Sequence, residues 1–264
     1  MAESQPQFLV VGSGADRRRI AYLRETAANP QAGKSGLIWF CGFKSEMTSL
    51  KAAALARWAS EQGLSCVRFD YSGHGQSDGR FEDGTISRWL EEARAVFVEQ
   101  TRGPQILVGS SMGGHIALLL LRALMQQSPS EAQRVKGLVL IAPAWDMTEH
   151  LWRTLPEAAR KEIAEKGAYL RPSRYGDGPY PITRALIEDG RNHLIGTEPF
   201  DPGRPVHILH GLQDPDVPWE HTLDLVAHLS GDWTRVTMVP DGEHRLSRPE
   251  DLALLLELVA GLVE

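Results

Sequence analysis

Long apolar runs are missing from this sequence. Nowhere do the roughly 18 consecutive apolar residues of a membrane-spanning helix occur. Cysteine is scarce, with only Cys41 and Cys66 in 264 residues. Both fall in apolar, strand-like runs, which predicts buried free thiols, and no histidine accompanies them at zinc-ligand spacing, so no metal site is expected. Basic residues are outnumbered, 28 Lys and Arg against 34 Asp and Glu, for a formal charge of −6. A nucleic-acid partner would want a basic stripe. The only dense basic cluster, Arg17-Arg18-Arg19, falls where a solvated hairpin turn is expected. Low-complexity tracts, internal repeats and an interdomain linker are lacking too. The first seven residues are polar and acidic, without a charged-then-apolar leader, so the expected location is the cytoplasm, where thiols stay reduced.

What is present is an alternation of two periodicities. Residues 8–11 and 19–23 alternate as the arms of a hairpin. Gly12-Ser13-Gly14 between them lacks the third glycine and the following helix of a dinucleotide loop. Strands are predicted at 37–41, 64–70, 106–108, 136–142, 206–210 and 235–239. The run 37–41 is apolar throughout, as in a parallel strand covered on both faces. Helices are predicted at 47–62, 85–101, 219–229 and 248–263, with another opening at about 112. The alternation breaks once, over about 144–204, where Pro, Arg, Trp and Tyr are frequent and helices are expected at 156–166 and 182–193. The chain therefore reads as one α/β domain over 1–264, a doubly wound, mostly parallel sheet with a helical cap inserted at about 144–204.

One corner draws the chemistry together. Gly109-Ser110-Ser111-Met112-Gly113, between an apolar strand and an apolar-faced helix, is a G-x-S-x-G match, the motif that exposes a nucleophilic serine above a sheet. Ser111 is the candidate nucleophile, and the amide of Met112 opens the helix toward a developing oxyanion. A serine needs a base, and the base an orienting carboxylate. The chain supplies both after later strands: Asp214 or Asp216 after 206–210, with Asp241 a weaker rival, and His244 after 235–239. His74, His193 and His210 are the rival bases; the first precedes the serine and the last ends a strand, where a structural histidine is the commoner outcome. The second oxyanion donor is expected from the loop after 37–41, at the amide of Phe43, with Gly42 allowing close approach.

These residues resemble the α/β-hydrolase family over nearly the whole chain. Phe69-Asp70-Tyr71-Ser72-Gly73-His74-Gly75-Gln76-Ser77 resembles the family's glycine-rich loop, whose role there is mostly structural. His210-Gly211-x-x-Asp214-x-x-Val217-Pro218 is similar to its acid loop and implies Asp214 as the acid, and Gly242-Glu243-His244 resembles its histidine loop. Arg68 to Gly73, Gly103 to Ser111, Pro172-Ser173-x-Tyr175 and Val217-Pro218-Trp219 are similar to a branch that cleaves palmitoyl-protein thioesters and acyl glucuronides. The resemblance implies a cofactor-free serine hydrolase of carboxylic esters or acyl thioesters, taking a small acyl substrate or an acylated protein. A peptidase or lipase-like hydrolase on the same residues, and a non-catalytic binding protein on the same scaffold, are the alternatives. The serine nucleophile argues against dehalogenase or epoxide-hydrolase chemistry, which uses aspartate there. Gly42, Trp145, Trp152, His193 and Trp219 are the candidate substrate-binding residues, and an apolar cap underside, with Tyr175 among its aromatics, is the expected acyl pocket.

Overall fold

The computed structural model describes residues 5–25, 34–173 and 178–263; Tyr175 lies outside them. In chain order the elements are β1 (Gln7–Val11), β2 (Arg18–Glu25), β3 (Gly36–Phe40), α1 (Leu50–Glu61), β4 (Cys66–Phe69), α2 (Ile86–Gln100), β5 (Gln105–Ser110), α3 (Met112–Gln127), the short α4 (Pro129–Ala132) and β6 (Val135–Ile141). There follow α5 (Met147–Thr154), α6 (Glu157–Lys166), β7 (Ala168–Arg171), β8 (Tyr180–Thr183), α7 (Arg184–Gly190), β9 (Val206–Gly211), α8 (Trp219–His228), β10 (Thr234–Val239) and α9 (Pro249–Val263). Eight strands form one sheet in the order β1-β2-β4-β3-β5-β6-β9-β10. The first two pairings, β1 with β2 and β2 with β4, are antiparallel and the rest are parallel.

The central strands are apolar because helices cover both faces: β3 and β5 are buried along their whole length. Trp39, Phe40, Leu107, Val108 and the α3 side chains from Ile116 to Leu121 are at most 1% exposed. Each of the larger apolar side chains among them contributes about 1.5–3 kcal/mol by leaving water. Cys41 and Cys66 are buried free thiols, and burial pushes both far above the ordinary thiol range.

Two local expectations shift for identifiable reasons. Residues 47–49 do not join α1, because the Met47 amide donates to Asp70 Oδ1 at 2.7 Å and Ser49 is extended (φ −55°, ψ 157°). The basic cluster is only partly a solvated turn: Arg18 is buried and pairs with Glu92, which is fully buried on α2, and with Glu91. Glu92 Oε2 also accepts the Ser72 amide at 2.8 Å, so this ion pair joins β2, α2 and the glycine-rich loop.

Between β6 and β9 the insertion is not all helical. It contains α5, α6 and α7, and also an antiparallel ribbon in which Tyr169 faces Ile182 and Leu170 faces Pro181. Residues 182 and 183, expected at a helix start, end β8 instead. Thr183 Oγ1 accepts the Leu186 amide at 3.1 Å and caps α7 one residue later. The insertion has its own apolar cluster of Leu155, Ala159, Ile163, Ile182 and Ile187, and Phe43 and Leu151 touch both this cluster and the main core.

Candidate active site

β5 stops at Ser110 and α3 starts at Met112, so Ser111 must reverse the chain alone. It does so at φ +54°, ψ −118°, a conformation that costs a non-glycine residue about 1–3 kcal/mol. The surroundings hold it there. Its amide donates to Ile141 O at 2.8 Å, and its carbonyl accepts the Ala144 amide at 3.1 Å. The flanking glycines are sterically required: a Cβ on Gly109 would lie 2.4 Å from Gly113 O, and one on Gly113 would lie 2.1 Å from Phe40 O. Ser110, beside the nucleophile, continues the strand and pairs with Ile141.

The acid and base arrive on loops after β9 and β10, whose backbones are joined by Gln213 N donating to Gly242 O at 2.9 Å. His244 Nε2 lies 3.1 Å from Ser111 Oγ, and His244 Nδ1 lies 2.7 Å from Asp214 Oδ2. Asp214 Oδ1 accepts the amides of Asp216 and Val217 at 2.8 and 2.9 Å. The Asp214 side chain is fully buried. Three of the sequence candidates are thus one bonded row; Asp216 and His210 lie beside it, with His210 Nε2 3.5 Å from Asp214 Oδ2, but outside the row. His210 donates Nε2–H to Val217 O at 2.9 Å and receives the Thr222 hydroxyl at 2.7 Å on Nδ1; burial holds it neutral. Asp241 pairs with Arg248. Asp214, Asp216 and His244 offer ligand atoms within 4.8 Å of one another. Both His244 nitrogens and both Asp214 oxygens are already engaged by protein groups, which disfavours a metal there.

The loop after β3 passes against the nucleophile: a Cβ on Gly42 would lie 3.5 Å from that of Ser111. Among the described residues, the amides of Phe43 and Met112 donate to no protein acceptor. The glycine-rich loop braces this turn. His74 Nδ1–H donates to Ser72 O and His74 Nε2 accepts the Lys44 amide, both at 3.2 Å. That arrangement needs a neutral ring, and burial holds the His74 pKa down to about 4.

A cavity of about 410 Å³ opens at Ser111 and His244. Gly42 lines it; Trp145, Trp152, His193 and Trp219 do not. Trp145 is buried, stacked on His221 with its indole N–H on His221 O at 2.7 Å. Trp152 joins the insertion's own cluster, with Arg191 over its ring. His193 Nε2 is 2.6 Å from Ser87 Oγ on an exposed surface, and Trp219 opens α8. The cavity wall is instead built from Met147, His150 and Leu151 of α5, Arg171 of β7, Tyr180 and Ile182 of β8, and Lys44 and Lys51. The spacing of Met147, His150 and Leu151 (i, i+3, i+4) was the available signal for α5. His221 also lines the cavity; burial pushes its pKa down to about 4, and burial followed by Arg171 lowers that of His150. Burial lowers the Lys51 pKa to about 8.

Residues 36–184 match the family described as "Serine aminopeptidase, S33". The mouse protein named palmitoyl-protein thioesterase ABHD10, mitochondrial, is 32% identical over 246 residues, covering 93% of this chain and 79% of its own length. The human protein of the same name is 32% identical over 234 residues, 88% of this chain and 74% of its own. A crystal structure from Agrobacterium vitis S4 superposes with a TM-score of 0.94 at 45% identity, covering 98% of this chain and 99% of that one. Mouse alpha/beta hydrolase domain-containing protein 10 superposes with a TM-score of 0.84 at 30% identity, covering 98% of each chain. Both curated relatives are named mitochondrial, which overturns the expected cytoplasmic location. That expectation rested on the composition of the first residues, whereas organelle addresses are carried by leader segments that the folded domain does not reveal. Among the described residues no helix is long and apolar enough to cross a membrane. Identity at this level over most of both chains, with the family match over residues 36–184, makes the conclusion plain: this chain belongs to the α/β-hydrolase family of serine hydrolases.

Proposed function

We propose that the protein hydrolyses carboxylic esters and acyl thioesters through an acyl-enzyme on Ser111. The row of hydrogen bonds from Ser111 Oγ through His244 to Asp214 carries the reading. In this mechanism His244 takes the Ser111 proton as Oγ attacks the acyl carbonyl, and Asp214 orients the ring and stabilises the imidazolium. The amides of Phe43 and Met112 hold the oxyanion; one such donor is worth about 3 kcal/mol at the transition state. The imidazolium protonates the leaving alcohol or thiol, and His244 then activates water to release the acid. No metal or organic cofactor enters the scheme.

The segment at about 144–204 acts as a cap within a single domain over 1–264, its α5 and β8 side chains receiving the acyl chain. The relatives' name, palmitoyl-protein thioesterase, puts an acylated protein cysteine among the candidate substrates beside small esters and thioesters. Aminopeptidase activity, suggested by the family's description, fits less well. A substrate ammonium needs carboxylates near the nucleophile, and among the described residues Asp216 is the one carboxylate lining this cavity, against four cations. Ser111→Ala is expected to abolish turnover of p-nitrophenyl acyl esters and labelling by a fluorophosphonate while leaving the circular dichroism spectrum intact. Substantial turnover by folded Ser111→Ala would overturn the assignment.

A further inference from the structure

The cavity's charge runs against that of the whole chain. Acids exceed bases by 34 to 28 in the sequence, yet Lys44, Lys51, Arg171 and Arg245 line the cavity that contains Ser111. The four come from separate places: the loop after β3, α1, the ribbon strand β7 and the turn after His244. Sheet domain and insertion therefore both present positive charge to one space. Lys51 Nζ donates to the backbone carbonyl of Arg245, which fixes α1 to the histidine turn. Lys44 holds its ammonium 5.2 Å from the Phe81 ring centre, and it reaches that position from a left-handed backbone, φ +61°. Among the described residues neither Lys44 nor Arg171 forms an ion pair. Burial, and after it Arg171, lowers the pKa of His150 across the cavity.

A wall lined by more than one cation suits a ligand with more than one negative charge. The acyl chain has apolar wall of its own in Met147, Leu151 and Ile182, so the charge falls to the leaving group. We propose that the preferred substrate is an acyl thioester whose thiol carries phosphate, held by Lys44 and Arg171 in the field of Lys51 and Arg245. This rests on the esterase/thioesterase reading above. Ser111 Oγ bonds to the acyl carbon and the C–S bond breaks. The phosphate-bearing thiol leaves with the proton from His244, and water then releases the carboxylic acid and restores Ser111.

The test compares three thioesters with the same acyl chain: of N-acetylcysteamine, which is uncharged, of N-acetylcysteine, with one carboxylate, and of coenzyme A, with phosphates. The expected kcat/KM order is coenzyme A first and N-acetylcysteamine last, with at least about a tenfold span, the scale of one hydrogen bond to a charged group. The span should shrink as sodium chloride is raised. Arg171→Gln and Lys44→Gln should each reduce the ratio of coenzyme A to N-acetylcysteamine turnover several-fold. Equal values for the three, a preference for the N-acetylcysteine thioester, or a coenzyme A preference indifferent to salt and to both substitutions would overturn the proposal. Hydrolysis of the uncharged thioester reports separately on the underlying activity: if Ser111-dependent turnover is found there, the esterase/thioesterase reading stands whatever the ranking.

Discussion

At the scale of single residues, Asp214 commits both carboxylate oxygens to the triad loop. One oxygen takes the His244 N–H and the other takes two backbone amides. Replacing it with asparagine puts a donor or a weaker acceptor against the ring, so Asp214→Asn is expected to lower kcat by about 10⁴. Asp216→Asn should lower it far less, and matched single-turnover assays of the two variants would decide; the reverse ranking would move the acid. Charge and position in the sequence left Asp214 and Asp216 open, because both follow the same strand. The distinction lies in a turn in which the Asp216 amide serves Asp214. The glycines and Ser111 were readable because a sharp strand-to-helix corner tolerates few residue types. The cavity wall was not, since tryptophan and histidine have several ways to be satisfied in an interior. Trp145 stacks on His221 and His193 meets Ser87, and neither lines the cavity.

Among the elements, the parallel strands and their helices were legible because each is long enough to show its period. The ribbon of β7 and β8 was not: each strand is four residues long, and Pro181 argues against a strand. A two-stranded ribbon has only edges, so a proline whose nitrogen needs no partner is accommodated. α5 was hidden for another reason. Asp146 looks like a helix cap, but it sits at φ +47° and its carboxylate accepts the amides of Ile195 and Gly196, at 2.7 and 2.9 Å, in place of those of its own helix. That bond pair ties the start of the insertion to its end. Because α5 supplies Met147 and Leu151 to the wall, the acyl-length profile belongs to this helix. For unbranched acyl esters, kcat/KM should rise up to about fourfold per added methylene until the cavity fills, the equivalent of about 0.8 kcal/mol each. Leu151→Trp should move the plateau to shorter chains. An unchanged profile in the folded variant would show that the chain lies elsewhere.

For the molecule as a whole, buried neutral histidines couple stability to pH. Burial lowers His74 and His221 to about 4 and His115 to about 3. Between those values and about 6.5 the unfolded chain binds protons that the folded chain refuses. Stability is therefore full above about 6.5 and falls as pH drops, by up to about 1.4 kcal/mol per pH unit for each histidine. Burial raises the carboxyls of Asp70, Glu92 and Asp146, and these act with the opposite sign as the pH falls through their own range. The histidine effect is thus cleanest just below neutrality. Urea midpoints should fall between about pH 7.5 and pH 5.5; a flat or rising midpoint would contradict the buried-neutral assignment. One further consequence follows from the way Ser111 is held. Its amide proton is bound to Ile141 inside a sheet whose central strands have no exposed side chain, while the β7–β8 ribbon leaves Leu170 60% exposed. In deuterated water the ribbon can trade its protons through small local openings, but the reactive corner can do so only when the sheet separates. The ribbon's amide protons should therefore exchange well before that of Ser111.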